Sequence, residues 1–121
     1  DVRAFGLAVA FPDFTRRALA QKLTAEFISG ACHAGQFETS LVLADAPGLV
    51  DDAARALLAK NSASLTEAFQ RGAKTFTEAG GPDAYFGAPA AASAEEGEKS
   101  FRIMAQALAA SVREAIAAAR T

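Results

Sequence analysis

Residues 4–11 of the chain read Ala-Phe-Gly-Leu-Ala-Val-Ala-Phe, and this stretch does most to indicate the fold class. Its bulky residues Phe5, Leu7, Val9 and Phe11 alternate with alanine and glycine. A period of two is typical of a β-strand, because successive side chains point to opposite faces of a sheet. The small face would let a helix approach closely, so we predict a strand covered by helices on both sides.

The remainder of the chain is predicted to be mainly helical, with glycine, proline and capping residues between the helices. Leu19, Leu23 and Phe27 recur every four residues and predict one helix of roughly 12 residues that Gly30 ends. Further predicted helices cover 37–44, 49–58, 65–72 and 94–120, the last two opened by capping boxes at Ser64 and Ser93. A short strand at 75–77 and a loop or extended piece at 85–89 complete a predicted α/β fold.

The apolar content of the chain predicts a thin core. Hydrophobic residues make up 51% of the sequence, but 32 of the 121 residues are alanine and only 27 are Leu, Ile, Val or Phe. Such a low share of large apolar residues approaches the range of disordered chains, so much of the core must form through Ala-mediated helix packing. The longest helix carries an apolar stripe made of Phe101, Met104, Leu108, Val112 and Ala115 or Ile116.

Charge, hydropathy and cysteine content exclude several classes of protein. A net charge of −2 does not suit a strongly basic nucleic-acid binder, and no apolar run approaches the length of a membrane span. The single cysteine, Cys32, excludes an intrachain disulfide and fits a reducing compartment, so we expect a cytoplasmic location. The sequence begins at Asp1 and its only methionine is Met104, so we expect one domain, 1–121, from a longer or processed product.

His33, the only histidine, is the first candidate for chemistry. Ala34 and Gly35 follow it, and such small residues let another group approach the imidazole closely. Glu38 lies five residues further on, a spacing that turns two helical side chains roughly 140° apart. If His33 instead precedes the helix, both side chains can converge on one pocket.

Each of these residues also has a structural interpretation. A lone histidine is more often a satisfied structural residue than a catalytic one, and Glu38 suits a capping or solvated carboxylate. The hydroxyls of Thr39 and Ser40 would then bond back to the helix backbone. Cys32 is a weak candidate nucleophile, because neighbouring side chains need not face each other. One cysteine and one histidine supply only half of a closed zinc site, so the sequence does not predict a zinc site built from this chain alone.

The run from His33 to Leu41, HAGQFETSL, resembles the HAGxxETSL signature of the creatininase (creatinine amidohydrolase) family. Two later stretches keep the order of that family. Residues 44–50, ADAPGLV, resemble its A-x-x-P-x-L-V segment, and residues 87–98, GAPAAASAEEGE, resemble its G-D-P-x-x-A-T-A-E-K-G-E segment. The chain departs from the pattern at Gln36, where Glu is frequent, at Ala88, where Asp is common, and at Cys32, where acidic or polar residues are usual.

The resemblance implies an α/β/α sandwich, assembled into oligomers, that hydrolyses a C–N bond of a small amide, cyclic amide or formamide with a divalent metal (zinc, manganese or iron). It implies that His33 shuttles a proton between the metal-activated water and the leaving nitrogen. It also implies that Glu38 is part of the catalytic site and that Cys32, Ala34 and Gly35 contact the substrate.

The metal ligands of the family lie in the earlier half of its chain, and none of them is present here. We therefore expect the C-terminal half of a metallohydrolase, whose sheet and metal ligands a second polypeptide completes. The alternative is a non-catalytic scaffold or regulatory subunit that retains the fold.

Overall fold

The structure is a computed structural model that describes residues 5–30 and 33–119. Its α-helices are α1 (Arg17–Ala20), α2 (Ala25–Ser29), α3 (Gln36–Asp45), α4 (Asp52–Ala56), α5 (Leu65–Gln70) and α6 (Ala94–Ala118). Short 3₁₀ helices at Pro47–Leu49 and Pro89–Ala91 precede α4 and α6. The most extensive contact between elements joins α3 to α6. None of the helices in the two described ranges is long and apolar enough to cross a membrane.

The strand predicted at 5–11 is wrong for the described part of the chain. These residues form no bridge to another segment, and the side chains of Phe5, Leu7 and Phe11 are 80%, 64% and 87% exposed. Residues 7–11 instead line an open cleft together with the last turns of α6. Alternation predicts which side chains share a face, but a strand also needs a partner backbone for its N–H and C=O groups.

The strand predicted at 75–77 is also wrong, because local hydrogen bonds fold these residues into a turn. The hydroxyl of Thr75 accepts the Glu78 N–H at 3.2 Å, and the Thr75 carbonyl accepts the Ala79 N–H at 3.0 Å. The Phe76 carbonyl accepts the Gly81 N–H at 2.8 Å. A threonine hydroxyl that bonds nearby backbone competes with extended structure, which explains the outcome. The extended piece at 85–89 is confirmed in part, as isolated antiparallel bridges join His33 to Phe86 and Asn61 to Gly87.

Two predicted helices are shorter in the structure because a side chain caps the backbone inside each of them. Thr24 has an extended backbone, and its hydroxyl accepts the Phe27 N–H at 3.3 Å, so α2 begins anew after α1. Gly30 ends α2 as predicted, with a φ of 80°. In the 49–58 segment, the carboxylate of Asp51 accepts the Ala54 N–H at 2.9 Å and starts α4 at Asp52.

The core is as thin as the composition predicts. The buried apolar residues in the described ranges are Phe37, Ala68, Ala79, Phe86 and Ala92, of which three are alanine. Phe86, which is fully buried, packs with Ala68 and Ala79 against a shell that includes Phe76. The face of α6 that is buried carries Gly97 and Ser100. Its apolar stripe remains partly open to solvent, with Leu108 and Ile116 47% and 44% exposed.

Candidate active site

His33 lies between Gly30, where α2 ends, and Gln36, where α3 begins, so it precedes the helix as one of the two sequence interpretations required. Its carbonyl accepts the Phe86 N–H at 2.8 Å, and its ring centroid lies 4.5 Å from that of Phe76. The residue is half-buried. Its imidazole forms no hydrogen bond with the described residues, so aromatic packing and the backbone bridge hold the ring in place.

Glu38 stabilises the loop that carries His33. Its Oε2 accepts the Ala34 N–H at 2.6 Å. Ala34 has a φ of 48°, a left-handed conformation that costs a non-glycine residue roughly 1 kcal/mol. The capping role considered for Glu38 is therefore present, and the carboxylate remains exposed on its other side. The catalytic role predicted for Glu38 and the substrate contact predicted for Ala34 stay predictions.

Gly35 is buried where two other groups approach it closely. A Cβ at this position would lie 2.8 Å from Cδ of Glu26 and closer still to the carbonyl oxygen of Phe86. The structure thus explains this glycine by backbone packing, and its predicted contact with a substrate stays a prediction. Cys32, the third residue predicted to contact a substrate, lies outside the described residues.

Glu26 is a residue that the sequence interpretation missed. Its Oε1 accepts the Phe37 N–H at 2.9 Å, and its Oε2 accepts the Ala88 N–H at 2.7 Å. It therefore links α2 to the start of α3 and to the segment that follows Phe86. The glycines at 35 and 87 were the available signal, because a Cβ at either position would collide with the Glu26 carboxyl group.

Ser40 and Glu96 join the early motif stretch to the late one. The fully buried hydroxyl of Ser40 accepts the Ser93 N–H at 3.1 Å and donates to Glu96 Oε1 at 3.3 Å. Glu96 Oε2 also accepts from the side-chain amide of Gln36 at 2.6 Å. Ser93 caps α6 as predicted, but Glu96 bonds to α3 where a complete capping box would return it to Ser93. The alternative that Ser40 bonds to its own helix is wrong, because its hydroxyl joins α3 to α6.

Arg55 holds the chain that leads into α6, and the sequence interpretation did not single it out. One guanidinium nitrogen donates to the carbonyls of Pro89, Ala90 and Ala92 at 3.0, 2.9 and 3.3 Å. The same side chain pairs with Asp52 at 2.9 Å and is only 17% exposed. Arg55 therefore fixes the short 3₁₀ helix before α6, which the motif match alone does not reveal.

An open depression of about 550 Å³ lies beside the His33 loop, between α3, α4 and residues 83–85. Its lining includes Ala34, Glu38, Arg55 and Tyr85, whereas His33 does not contribute to it. The structure thus brings Ala34 and Glu38 into one cavity and packs the His33 ring against Phe76.

The donor groups near His33 do not fit a metal centre by themselves. Among residues 5–30 and 33–119, no three side chains of His, Cys, Asp or Glu are grouped so that they could hold a metal ion. Three nearby carboxylates, those of Glu26, Glu38 and Glu96, accept hydrogen bonds from protein amides.

The family comparison covers nearly the whole chain. The family model named Creatininase, described as creatinine amidohydrolase, matches residues 3–112 of the 121. Searches of curated proteins and of solved structures found no match. The matched range contains His33 and all three motif stretches, and the structure packs the first stretch (33–41) against the third (87–98) through Ser40, Glu96 and Glu26. The chain therefore belongs to the creatininase family.

Proposed function

We propose that the chain contributes the histidine-bearing part of an amidohydrolase that cleaves a C–N bond of a small amide, cyclic amide or formamide. Family membership supports hydrolase activity. The observation that carries the proposal is the state of His33. Its backbone is fixed by Phe86, while its imidazole makes no hydrogen bond to any residue that the structure describes. An imidazole with no hydrogen-bond partner among the described residues can accept a proton from a reacting group and return it to another.

His33 would carry one proton through the reaction. Hydrolysis adds hydroxyl from water to the carbonyl carbon and hydrogen to the departing nitrogen. A neutral imidazole accepts the proton that the attacking water loses, and the resulting imidazolium donates that proton to the nitrogen as the C–N bond breaks. The contact with the Phe76 ring would keep the imidazole oriented between the attacking water and the departing nitrogen.

The divalent metal of the proposed enzyme requires ligands from other sequence. The family typically depends on a metal, whereas the described residues offer no site for one. We infer that a second polypeptide, or an N-terminal half of the same product, holds the zinc, manganese or iron. It would also complete a three-layer α/β/α sandwich. Residues 1–121, a single domain, would supply the C-terminal half of that sandwich. The exposed and alternating side chains of Phe5, Leu7 and Phe11 support this, because such a face normally packs against a neighbour. A cytoplasmic location and a higher oligomer belong to the same proposal.

Mass spectrometry of the protein purified from its source, native and then denaturing, tests the assembly. We expect a second polypeptide at a one-to-one ratio with this chain, bound divalent metal, and hydrolysis of members of a panel of small amides. His33→Ala should lower turnover by about 10²–10⁴-fold and leave the metal content unchanged. Arg71→Gln, at the exposed residue that directly follows α5, is the control and should change neither quantity. Near-normal turnover of His33→Ala would overturn the role of His33.

A non-catalytic subunit is the second candidate. The hydrogen bond from the Ala34 N–H to Glu38, which commits one carboxylate oxygen of the motif to the backbone, favours it. In that case the purified assembly would still contain a second polypeptide, but it would bind no metal and hydrolyse no member of the panel. The same experiment therefore separates the two candidates.

A further inference from the structure

We infer that Glu26 is a positioning residue that sets the orientation of the His33 imidazole, an inference that rests on the proposed function for its catalytic consequence. Glu26 lies on α2, one helix before His33, and belongs to none of the three motif stretches. Its two carboxylate oxygens accept backbone N–H groups from different parts of the chain, Phe37 at 2.9 Å and Ala88 at 2.7 Å.

The chemistry of these two bonds calls for a carboxylate. Both partners are N–H donors, and a carboxylate presents two acceptor oxygens, whereas an amide presents one acceptor and one donor group. Hydrogen bonds from N–H groups to a charged acceptor are roughly twice as strong as neutral ones. Phe37 is also the second residue of α3, where the unpaired N–H groups of a helix start favour a negative partner.

The glycines on either side of the carboxyl group give independent support. A Cβ at Gly35 or at Gly87 would collide with the Glu26 carboxyl group, so a side chain at either position would push that group away from its hydrogen bonds. Gly35 lies in the early motif stretch and Gly87 in the late one. One side chain outside the motifs therefore packs against a glycine in each of them, beside the Phe86 carbonyl at Gly35 and in addition to the φ of 102° at Gly87.

The two hydrogen bonds to Glu26 hold the two segments that the bridge between His33 and Phe86 joins. Phe86, whose N–H bonds to the His33 carbonyl, is two residues before Ala88. Between His33 and Phe37 the chain passes through the left-handed conformation of Ala34. Loss of the Glu26 bonds would release the segments at Phe37 and Ala88. Ala34 could then leave its left-handed conformation, and the imidazole would move away from the ring of Phe76. Glu26 touches no reacting atom in this scheme and acts only through His33.

Histidine NMR provides a readout that a purely stabilising role would not move. His33 is the only histidine, so a full-length chain labelled in its histidine ring gives one set of ring signals. In Glu26→Gln we expect these signals to shift, because the ring current of Phe76 no longer acts on them, while far-UV circular dichroism stays like that of the wild type. Glu67→Gln, on the exposed face of α5, is the control and should leave the histidine signals in place.

Kinetics of the complete assembly form the second readout. We expect Glu26→Gln to lower kcat by about 10- to 100-fold, the effect of a misplaced catalytic group, with KM changed less than about threefold. If the wild-type assembly hydrolyses no amide, the proposed function fails, yet the NMR comparison still tests the positioning role. Unshifted His33 signals in folded Glu26→Gln would overturn the inference. So would loss of the folded state in this mild variant, because Glu26 would then serve stability alone.

Discussion

Gly97→Ala tests the contact between α3 and α6 that brings the two motif stretches together. Gly97 is buried in the second turn of α6, and a Cβ there would collide with the carbonyl oxygen of Ser40 and lie 2.8 Å from Cβ of Ala44. The main obstacle is backbone within α3, which has no alternative rotamer. The helices must therefore move apart, or the carbonyl must leave its place.

The expected change in the free energy of unfolding has three contributions, of which one stabilises the variant and two destabilise it. Alanine favours a helix over glycine by about 1 kcal/mol. Overpacking a close contact costs about 1–3 kcal/mol, and a backbone obstacle places this case at the upper end. Separation of the helices also weakens the bonds from Ser93 to Ser40 and from Ser40 to Glu96, each worth about 1 kcal/mol. We expect a net loss of about 2–4 kcal/mol in the free energy of unfolding, or about 8–16 °C in Tm.

Urea denaturation of the full chain, followed by circular dichroism, measures this loss, provided that both variants show the same m-value. Gly48→Ala is the matched control, because a Cβ at Gly48 would meet no atom within 4 Å. There the substitution should be neutral or stabilise the fold by up to about 1 kcal/mol. If Gly97→Ala is as stable as Gly48→Ala, the close crossing of α3 and α6 is refuted.

Three further predictions address single side chains. Ser40→Ala should lower the free energy of unfolding by about 1–3 kcal/mol, because it removes the buried acceptor of the Ser93 N–H. In the same urea assay, Ser62→Ala at an exposed position should change this free energy by no more than about 0.5 kcal/mol. Arg55→Met should lower the thermal midpoint clearly through three lost carbonyl bonds, and Arg71→Met, which breaks an exposed ion pair, should barely change it. Hydrogen bonds from the Thr15 hydroxyl and N–H lower the pKa of Asp13, so carboxyl NMR should give a midpoint below 3.8, and Thr15→Val should raise it. The stabilisation from Asp13 is then present above its ordinary pKa and lost as the pH falls through the lowered one, and a midpoint at or above 3.8 would contradict this.

Features that depend on a few neighbouring residues were predictable from the sequence. Ser64 and Ser93 each cap the helix that follows, and Gly30 ends α2, because these bonds form between residues three or four apart. The same local chemistry caused the error at Thr24, whose hydroxyl divides one predicted helix into two. The apolar spacing there indicated the helical face, but it gave no sign that a residue inside the predicted helix would cap a new one.

Features that depend on distant residues were not predictable in the same way. The alternation at 5–11 is real, but a strand requires a partner that the sequence pattern does not identify. Glu26 and Arg55 look like ordinary surface residues in the sequence, and only the fold brings Ala88 and Pro89 to them. The position of His33 ahead of α3 was within reach, because Gly35 and the helical spacing after it mark where the helix begins.

The motif stretches carry two kinds of information, and the structure separates them. Gly35, Ser40, Glu96 and Gly97 are accounted for by close approach or hydrogen bonding between segments, so their presence reports a shared way of packing. The His33 side chain differs, since its imidazole takes no part in the hydrogen bonds of the described residues. Residues of this packing kind would persist in an inactive relative, because losing them would cost stability. Under the proposed function, activity would depend on His33 and on metal ligands from other sequence, so turnover and metal content have to be measured on the assembly.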